Sequence, residues 1–434
     1  MKIHSADRPH KARPVLLLAA DVSKDTLHLF SRFDSGPHQL TVEDVVANRT
    51  VPVEAALARV QALAREHGLA GVRVLCEPSG GYERLYLSVA CRLGIETALV
   101  SPEQSRSLTK LVRLDTGKTD RKDAQAIHLA AEMGKTQRHR ELPEPYVLLR
   151  HLTAFHDDEV RTTSAIRTRL LGTLSRLFPD YDRQVPFTFS KTGRTLLRER
   201  LLCPHRLVRL GQARLLAMLR RRVPGVKTVT AERLTAAAAA AVRSAPPPPV
   251  AAVLADRLAV LLSELEMHEA QAEALREQIE ALGEGLKADG ALPPIDEAVS
   301  GLTLFNLARL VGQTGPLADF QSKRQLLRYA GMNLRERESG TYKGQTRLIK
   351  KGRPMLRKVL GQAVFPLLRG DRLLGARYAE RCQRMKRTQA AVAAMRKLLV
   401  LVWGAQRSAA AFDASRVHVC QSQYGRPASP ALAA

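Results

Sequence analysis

Three short apolar runs in the first hundred residues, at 15–20, 72–76 and 95–100, alternate with stretches whose apolar residues recur at helical spacing. Strands alternating with helices imply an open α/β sheet. The first run stops at Asp21, and residues 26–30 read as a second strand after a polar turn through Ser23 and Lys24, which makes a hairpin. Ala56, Leu57, Val60 and Leu63 mark a helix over 53–66, and another spans about 82–93 before Gly94. The run at 72–76 leads into Glu77-Pro78-Ser79-Gly80-Gly81. From Asp120 the sequence is helical to Met133, and Gly134 is suited to end it.

Four carboxylates fall where these elements end or begin: Asp21, Glu77, and the pair Asp120 and Asp123. So placed, they can converge on metal ions at one edge of the sheet. Mg²⁺ prefers hard oxygen ligands, and two ions ~3.5–4 Å apart can stabilise both the attacking and the leaving oxygen of a phosphodiester. Asp120 and Asp123, three apart, share one helix face. Each acid also has a plainer reading. Asp at a helix start complements the helix dipole, with Thr119 or Asp120 as cap; Glu77 before a proline fits a turn, and Asp21 can merely end a strand.

The chain around these acids is basic. Lys and Arg number 68 against 42 Asp and Glu, for a net charge of +26, enough to attract a phosphate backbone over much of the surface. A nonspecific basic protein is the competing reading of the charge. Aromatic content of 4% argues against base-stacking platforms. The five cysteines are scattered without a CxxC or His-spaced set, which indicates neither a disulfide framework nor zinc and suits a reducing cytoplasm. No apolar run approaches the ~20 residues of a membrane helix, so no membrane partner is expected.

Past Pro143 the pattern changes to long helices. Leu149, Leu152, His156, Thr163, Ile166, Leu170 and Leu177 follow an imperfect heptad; Leu254, Leu258, Leu261, Leu265, His268, Ala272, Leu275, Ile279, Leu282 and Leu286 step by four and three without a break, in an acidic segment. That is a coiled-coil signal, satisfied either by packing the two helices together within the chain or by pairing subunits. Residues 235–250, rich in Ala and Pro, read as a connector. After Pro293 and Pro294 a third, mainly helical region begins. Its stretch 335–358 holds nine Lys or Arg against two Glu, and Arg335, Arg337, Lys343, Arg347, Lys350, Lys351, Arg353 and Arg357 are candidate nucleic-acid contacts. Among these cations Ser339, beside Gly340, can present its hydroxyl to a scissile phosphate, or can simply belong to a Ser-Gly turn. Ser79 reads more simply as part of a Gly-rich turn. The expected divisions are a basic arm at 1–14, an α/β catalytic domain at 15–142, a helical coiled-coil region at 143–290 containing the 235–250 linker, a C-terminal domain at 291–410, and a disordered tail at 411–434.

Ala19-Ala20-Asp21-Val22-Ser23-Lys24, Cys76-Glu77-Pro78-Ser79-Gly80-Gly81-Tyr82 and Lys118-Thr119-Asp120-Arg121-Lys122-Asp123-Ala124 resemble the three catalytic motifs of the DEDD transposases of the bacterial insertion-sequence-110 family, to which pilin-gene invertases also belong. The segment from Phe320 through Leu326 to Met332, Ser339-Gly340, and Lys350 to Arg357 is similar to the family's second conserved domain. The resemblance implies an RNase H-like (RuvC-type) catalytic domain, a coiled-coil region and a mainly α C-terminal transposase domain. It also implies Mg²⁺ held by Asp21, Glu77, Asp120 and Asp123, and Ser339 as nucleophile forming a covalent phosphoserine link to DNA. Its further implications are a bridge RNA as guide, assembly into dimers or tetramers, and a cytoplasmic, nucleoid-associated bacterial location. The Pro- and Gly-rich helix-hairpin-helix turn that often precedes the family's second domain is replaced here by residues 295–301. Three other functions compete: a junction-resolving nuclease using only the carboxylates, a site-specific invertase, and a non-catalytic nucleic-acid-binding protein.

Overall fold

A computed structural model describes residues 14–35, 38–112, 120–179, 181, 188–295, 301–335, 338–339, 342–343, 347–369 and 373–408. The expected arm (except Pro14), the tail at 411–434, Lys118, Thr119, Arg337, Gly340 and residues 296–300 lie outside the described residues. The chain divides into two compact units, Met1–Glu141 and Leu142–Ala434.

The first unit is a six-stranded mixed sheet with helices. In chain order it runs β1 (Val15–Val22), β2 (Thr26–Ser35), β3 (His38–Ala47), α1 (Thr50–Glu66), β4 (Gly71–Cys76), α2 (Glu83–Arg92), β5 (Glu96–Val100), α3 (Pro102–Val112), α4 (Asp120–Glu132) and β6 (Thr136–Arg138). The strand order is β3-β2-β1-β4-β5-β6. β1, β2 and β3 form an antiparallel meander, β1, β4 and β5 are parallel, and β6 closes the far edge antiparallel to β5. Alternate side chains of a strand face opposite sides, and here both sides are covered. Leu16, Leu18 and Ala20 pack with Leu57, Val60 and Tyr86 from α1 and α2. Ala19 packs with Leu75, Leu108, Ala126 and Ile127 on the side of α3 and α4. Asp21 continues the parity of Ala19, toward α4.

The structure extends the expected sheet. The strand expected at 26–30 continues to Ser35, and β3 was not foreseen because its mixed polar pattern suits an edge strand, with Leu40 and Val46 the buried ones among its described side chains. α3 was missed for a similar reason: among the residues of this polar helix whose burial is described, 102–108, Ser105 and Leu108 are buried.

The second unit is mainly helical. Its helices are α5 (Glu144–Leu177), α6 (Lys191–Arg198), α7 (Pro204–Arg222), α8 (Thr228–Ala241), α9 (Pro248–Ala288), α10 (Leu304–Thr314), α11 (Lys323–Tyr329), α12 (Pro354–Val364), α13 (Gly375–Arg384) and α14 (Arg387–Arg407). Four two-residue strands lie between α11 and α12: β7 (Leu334–Arg335) pairs with β10 (Arg347–Leu348), and β8 (Glu338–Ser339) with β9 (Tyr342–Lys343). The long helices α5 and α9 pack together within the chain. Their seam is apolar toward both ends, with Leu149, Ile279 and Leu286 in one core and Ile166, Leu170, Leu258, Leu261 and Leu265 in another. Between these it is polar, with a His268 Nδ1 to Glu159 Oε2 contact of 2.6 Å. The acidity of α9 is met by its neighbours: Glu269 pairs with Arg167 (2.6 Å) and Arg194 (2.7 Å), Glu266 with Arg198 (2.7 Å), and Asp256 with Arg200 (2.5 Å).

The connector expected at 235–250 is largely helix. Residues 235–241 complete α8, with Ala237, Ala238 and Ala241 buried, and Pro248 opens α9 as its first residue. An alanine run has low complexity but the highest helix propensity, so packing on one face suffices to order it. Proline at a first helical position is favoured because its missing N–H would be unbonded there in any case. The true connector is residues 242–247.

Candidate active site

The register of the sheet brings Asp21 and Glu77 to the same edge. β1 and β4 are parallel, with Ala20 opposite Cys76, so each acid is the next residue along its own chain. Across the other side of β1, Asp21 stands opposite His28 of β2. Helix α4 packs on β1 and β2, and Asp120 and Asp123 occupy its first turn. Asp120 approaches His28, Oδ2 to Nε2 3.3 Å.

These acids act on one another. Burial, then the charges of Asp123, Asp120 and Glu77, push the Asp21 carboxyl up to about 6, with His28 opposing them. Three like charges around a half-buried carboxylate are a cost that folding alone does not require, and a cation would relieve it. The donor set is all carboxylate oxygen, which fits a hard divalent ion such as Mg²⁺. The four side chains crowd one region without closing on a point: among the described residues no three His, Cys, Asp or Glu side chains are grouped to hold one ion.

Two supports for this edge were not foreseen. Glu83 accepts hydrogen bonds from the Ser79 N–H (3.0 Å), the Ser79 hydroxyl (2.9 Å) and the Gly81 N–H (2.8 Å), which fixes the loop after Glu77. Against burial, which acts to raise it, those bonds hold the Glu83 carboxyl below its ordinary range. Ser79 is therefore a turn residue, as its Gly-rich setting suggested. The second support is His128 on α4, whose Nε2 accepts the Arg32 N–H (3.3 Å) while its ring meets Phe30 edge-on at 5.4 Å. Burial lowers its pKa, which favours the neutral, accepting form. His28 was invisible because only the β1–β2 register sets it beside the acids. Glu83 carried a faint signal, an acid opening a helix just after a Ser-Gly-Gly turn.

The C-terminal candidates belong to the second unit. Ser339 lies in β8, opposite Tyr342 of β9; Arg335, Lys343 and Arg347 lie in the neighbouring short strands, and Arg337 is outside the described residues. Lys350 and Lys351 follow on the loop into α12. That loop lies so close to the end of α11 that a Cβ on Gly352 would sit 2.3 Å from the Gly331 nitrogen. Two of the candidate cations help to tie this contact together: Arg353 Nε donates to Gln313 Oε1 (2.8 Å), and Arg357 Nη1 donates to the Ala330 carbonyl (3.0 Å). Arg150, not singled out in the sequence, donates to the Gly312 and Gln313 carbonyls (both 3.1 Å) and to the Tyr329 hydroxyl (2.8 Å). Below them Asp157, 2% exposed, pairs with Lys358 at 2.5 Å and Arg161 at 3.0 Å. Arg309, also 2% exposed, is pulled down to about 10 by burial, with Asp157 opposing, and donates to Gln362 at 2.8 Å.

Comparison with known proteins gives matches to both units. Residues 18–179 match a family model described as Transposase, of the DEDD IS110 type, and residues 297–379 match the Transposase IS116/IS110/IS902 family. A curated relative, the insertion element IS110 uncharacterized 43.6 kDa protein of Streptomyces coelicolor, is 24% identical over 69% of this chain and 73% of its own. Among solved structures, Thermus thermophilus RuvC matches at 17% identity, covering 29% of this chain and 100% of that one, with a TM-score of 0.22. The same protein in complex with a Holliday junction substrate matches at 18%, covering 29% and 99%, with a TM-score of 0.22. Among the described residues no helix is long and apolar enough to cross a membrane.

Proposed function

The chain belongs to the IS110 family of transposases, enzymes that cut and rejoin DNA, and from that premise we propose that it is the recombinase of its own insertion element, working through a carboxylate site and a serine nucleophile. The observation that carries this reading is the gathering of Asp21, Glu77, Asp120 and Asp123 at one sheet edge, with Asp21 raised to about 6 by burial and its acidic neighbours. These four residues would hold Mg²⁺, which when bound supplies positive charge against the charge developing on a scissile phosphate. The RNase H-like character of the first unit is supported by the strand order, an antiparallel meander leading into parallel strands flanked by helices.

In the proposed chemistry the Ser339 oxygen forms a bond to phosphorus as the bond to one DNA sugar oxygen breaks. The serine proton passes to the departing oxygen, so a phosphoserine link and a free hydroxyl end result. Rejoining is the reverse attack by a DNA hydroxyl. Arg335, Arg337, Lys343, Arg347, Lys350 and Lys351 would neutralise the DNA backbone, while Arg353 and Arg357 hold the loop that presents them. The domain divisions beyond the two units, assembly of copies into dimers or tetramers, a bridge RNA guide, and a cytoplasmic, nucleoid-associated location belong to the same proposal.

The test is a denaturing-gel search for a protein–DNA adduct, using the element's flanking DNA and adjoining RNA with Mg²⁺. The expected result is an adduct that maps to Ser339 and disappears in Ser339→Ala. A carboxylate-only nuclease is the second reading, favoured because all four acids lie in one unit. It requires that Ser339→Ala cut as well as wild type, with no adduct.

A further inference from the structure

We propose that the hairpin formed by α7 and α8 docks on the backbone of double-stranded DNA, a contact that rests on the DNA-cutting reading above and adds a surface outside the catalytic motifs. α7 is broken at Gly211 (φ 73°), and its second half runs to a turn at Pro224-Gly225, where Gly225 (φ 82°) takes a left-handed conformation that disfavours side chains. α8 then returns, with Leu215 and Leu219 buried against Ala231, Leu234 and Ala238. The hairpin is thus a packed element with a defined tip.

Most of its charge is not used internally, the exception being Arg222, which pairs with Glu199 at 3.5 Å. From 204 to 245 the chain has nine Lys or Arg and one acid, Glu232. The contrast with α6 decides what this means. Arg194, Arg198 and Arg200, on α6 and just after it, are matched to Glu269, Glu266 and Asp256 of α9. By contrast Arg209, Arg214, Arg220, Arg221, Lys227 and Arg233 are exposed and have no ion-pair partner among the described residues. Arg214 and Arg221, two turns apart on one face, line a shallow groove with Leu210 and Met218; the one acid in its lining, Glu199, is paired with Arg222. Arg220 reaches across the tip to the Thr228 hydroxyl at 3.3 Å. Lys227 occupies the cap position of α8, where no side chain caps the helix and no acid follows in the first turn. A cation there opposes the helix dipole, a cost that an external polyanion offsets.

The composition selects the form of that polyanion. No Phe, Tyr or Trp occurs from 204 to 245, so the surface has nothing on which to stack the unpaired bases of single strands or RNA loops. Lys and Arg on a rigid helical edge fit the regular phosphates of a duplex, read without regard to sequence.

The experiment titrates the full chain in EDTA against fluorescent duplex DNA of arbitrary sequence and duplex RNA of the same sequence, by anisotropy at several salt concentrations. One variant carries Arg214→Glu, Arg221→Glu and Lys227→Glu, and a second carries Gln at the same three positions. A circular-dichroism melt close to that of wild type certifies that each variant is folded. Both are expected to bind duplex DNA more weakly, and the slope of log affinity against log salt falls in magnitude by roughly 2 to 3 in the Gln set, near 0.9 for each lost phosphate contact. Unchanged DNA affinity and slope in both variants overturns the proposal, as does a loss confined to RNA. Cutting is read separately, with Mg²⁺ and the element's flanking DNA, where Asp21→Asn is expected to abolish it, so a failed docking surface and a failed cutting reaction give different results.

Discussion

Two aspartates in the two units are treated in opposite ways. Asp157, 2% exposed, is enclosed by Lys358 and Arg161, and against the burial that would raise its pKa those cations hold its carboxyl below the usual range. Asp21, half-buried at the end of β1, is surrounded by three acids and is pushed up to about 6. A structural acid is matched to cations from its own chain, whereas Asp21 is left to a charge the chain does not supply. The same distinction separates the arginines. Arg150, Arg353 and Arg357 direct donors to carbonyls, a hydroxyl and an amide, while Arg220, Arg221 and Lys227 at the α7–α8 tip have no acidic partner among the described residues.

The largest effect expected from this contrast is at Asp21. Asp21→Asn should lower metal-dependent DNA cutting by roughly 1,000-fold, a few kcal/mol of lost transition-state stabilisation. It should leave the thermal midpoint equal to that of wild type or higher, since it removes repulsion. Parallel cutting assays and melting curves check both halves, and a destabilised but active variant would break the comparison. Asp157→Asn should do the reverse, costing about 2–3 kcal/mol in denaturant unfolding because Lys358 and Arg161 lose their buried partner, a figure kept low because both cations are partly exposed. The pH dependence follows the sign of the shift. With its folded pKa depressed, Asp157 contributes stability that is present above its unfolded value near ~3.9 and is lost as pH falls through the folded value. Acid unfolding of Asp157→Asn should therefore be shallower below about pH 4; an identical acid profile would contradict the pairing.

Gly352→Ala tests the frame of the C-terminal site. Its Cβ would meet the Gly331 backbone at 2.3 Å, and a loss of about 2 kcal/mol in denaturant unfolding is expected. The smallest effect belongs to Glu83→Gln, which exchanges a charged acceptor of three hydrogen bonds for a neutral one and should cost about 1 kcal/mol. Hydrogen exchange at Ser79 and Gly81 would report it most directly, and unchanged protection there would remove Glu83 from the account.

What the sequence made legible depended on range. β1, β4 and β5 were readable because continuous apolar runs mark strands buried on both faces, and α4 because its acids and Gly134 punctuate it. β3 was not, since an edge strand can remain half polar. The alanines at 236–241 misled for the opposite reason: composition suggested a loose connector, while helix propensity and the packing of Ala237, Ala238 and Ala241 make an ordered turn of α8. At the site, the four acids could be named from their positions at element ends. Their mutual influence could not, because it depends on the β1–β4 register and on α4 lying over β1. The partners of Arg353 and Arg357 were equally hidden, since Gln313 lies 40 residues from one and Ala330 lies 27 from the other.

The central claim is that Asp21 and its neighbours hold a divalent cation, and Mn²⁺ titration of the full chain followed by electron paramagnetic resonance tests it without any DNA. Saturable binding that is lost in Asp21→Asn and in Glu77→Gln, with melting curves intact, is the expected result. Mn²⁺ binding of equal strength in wild type and both variants would contradict it.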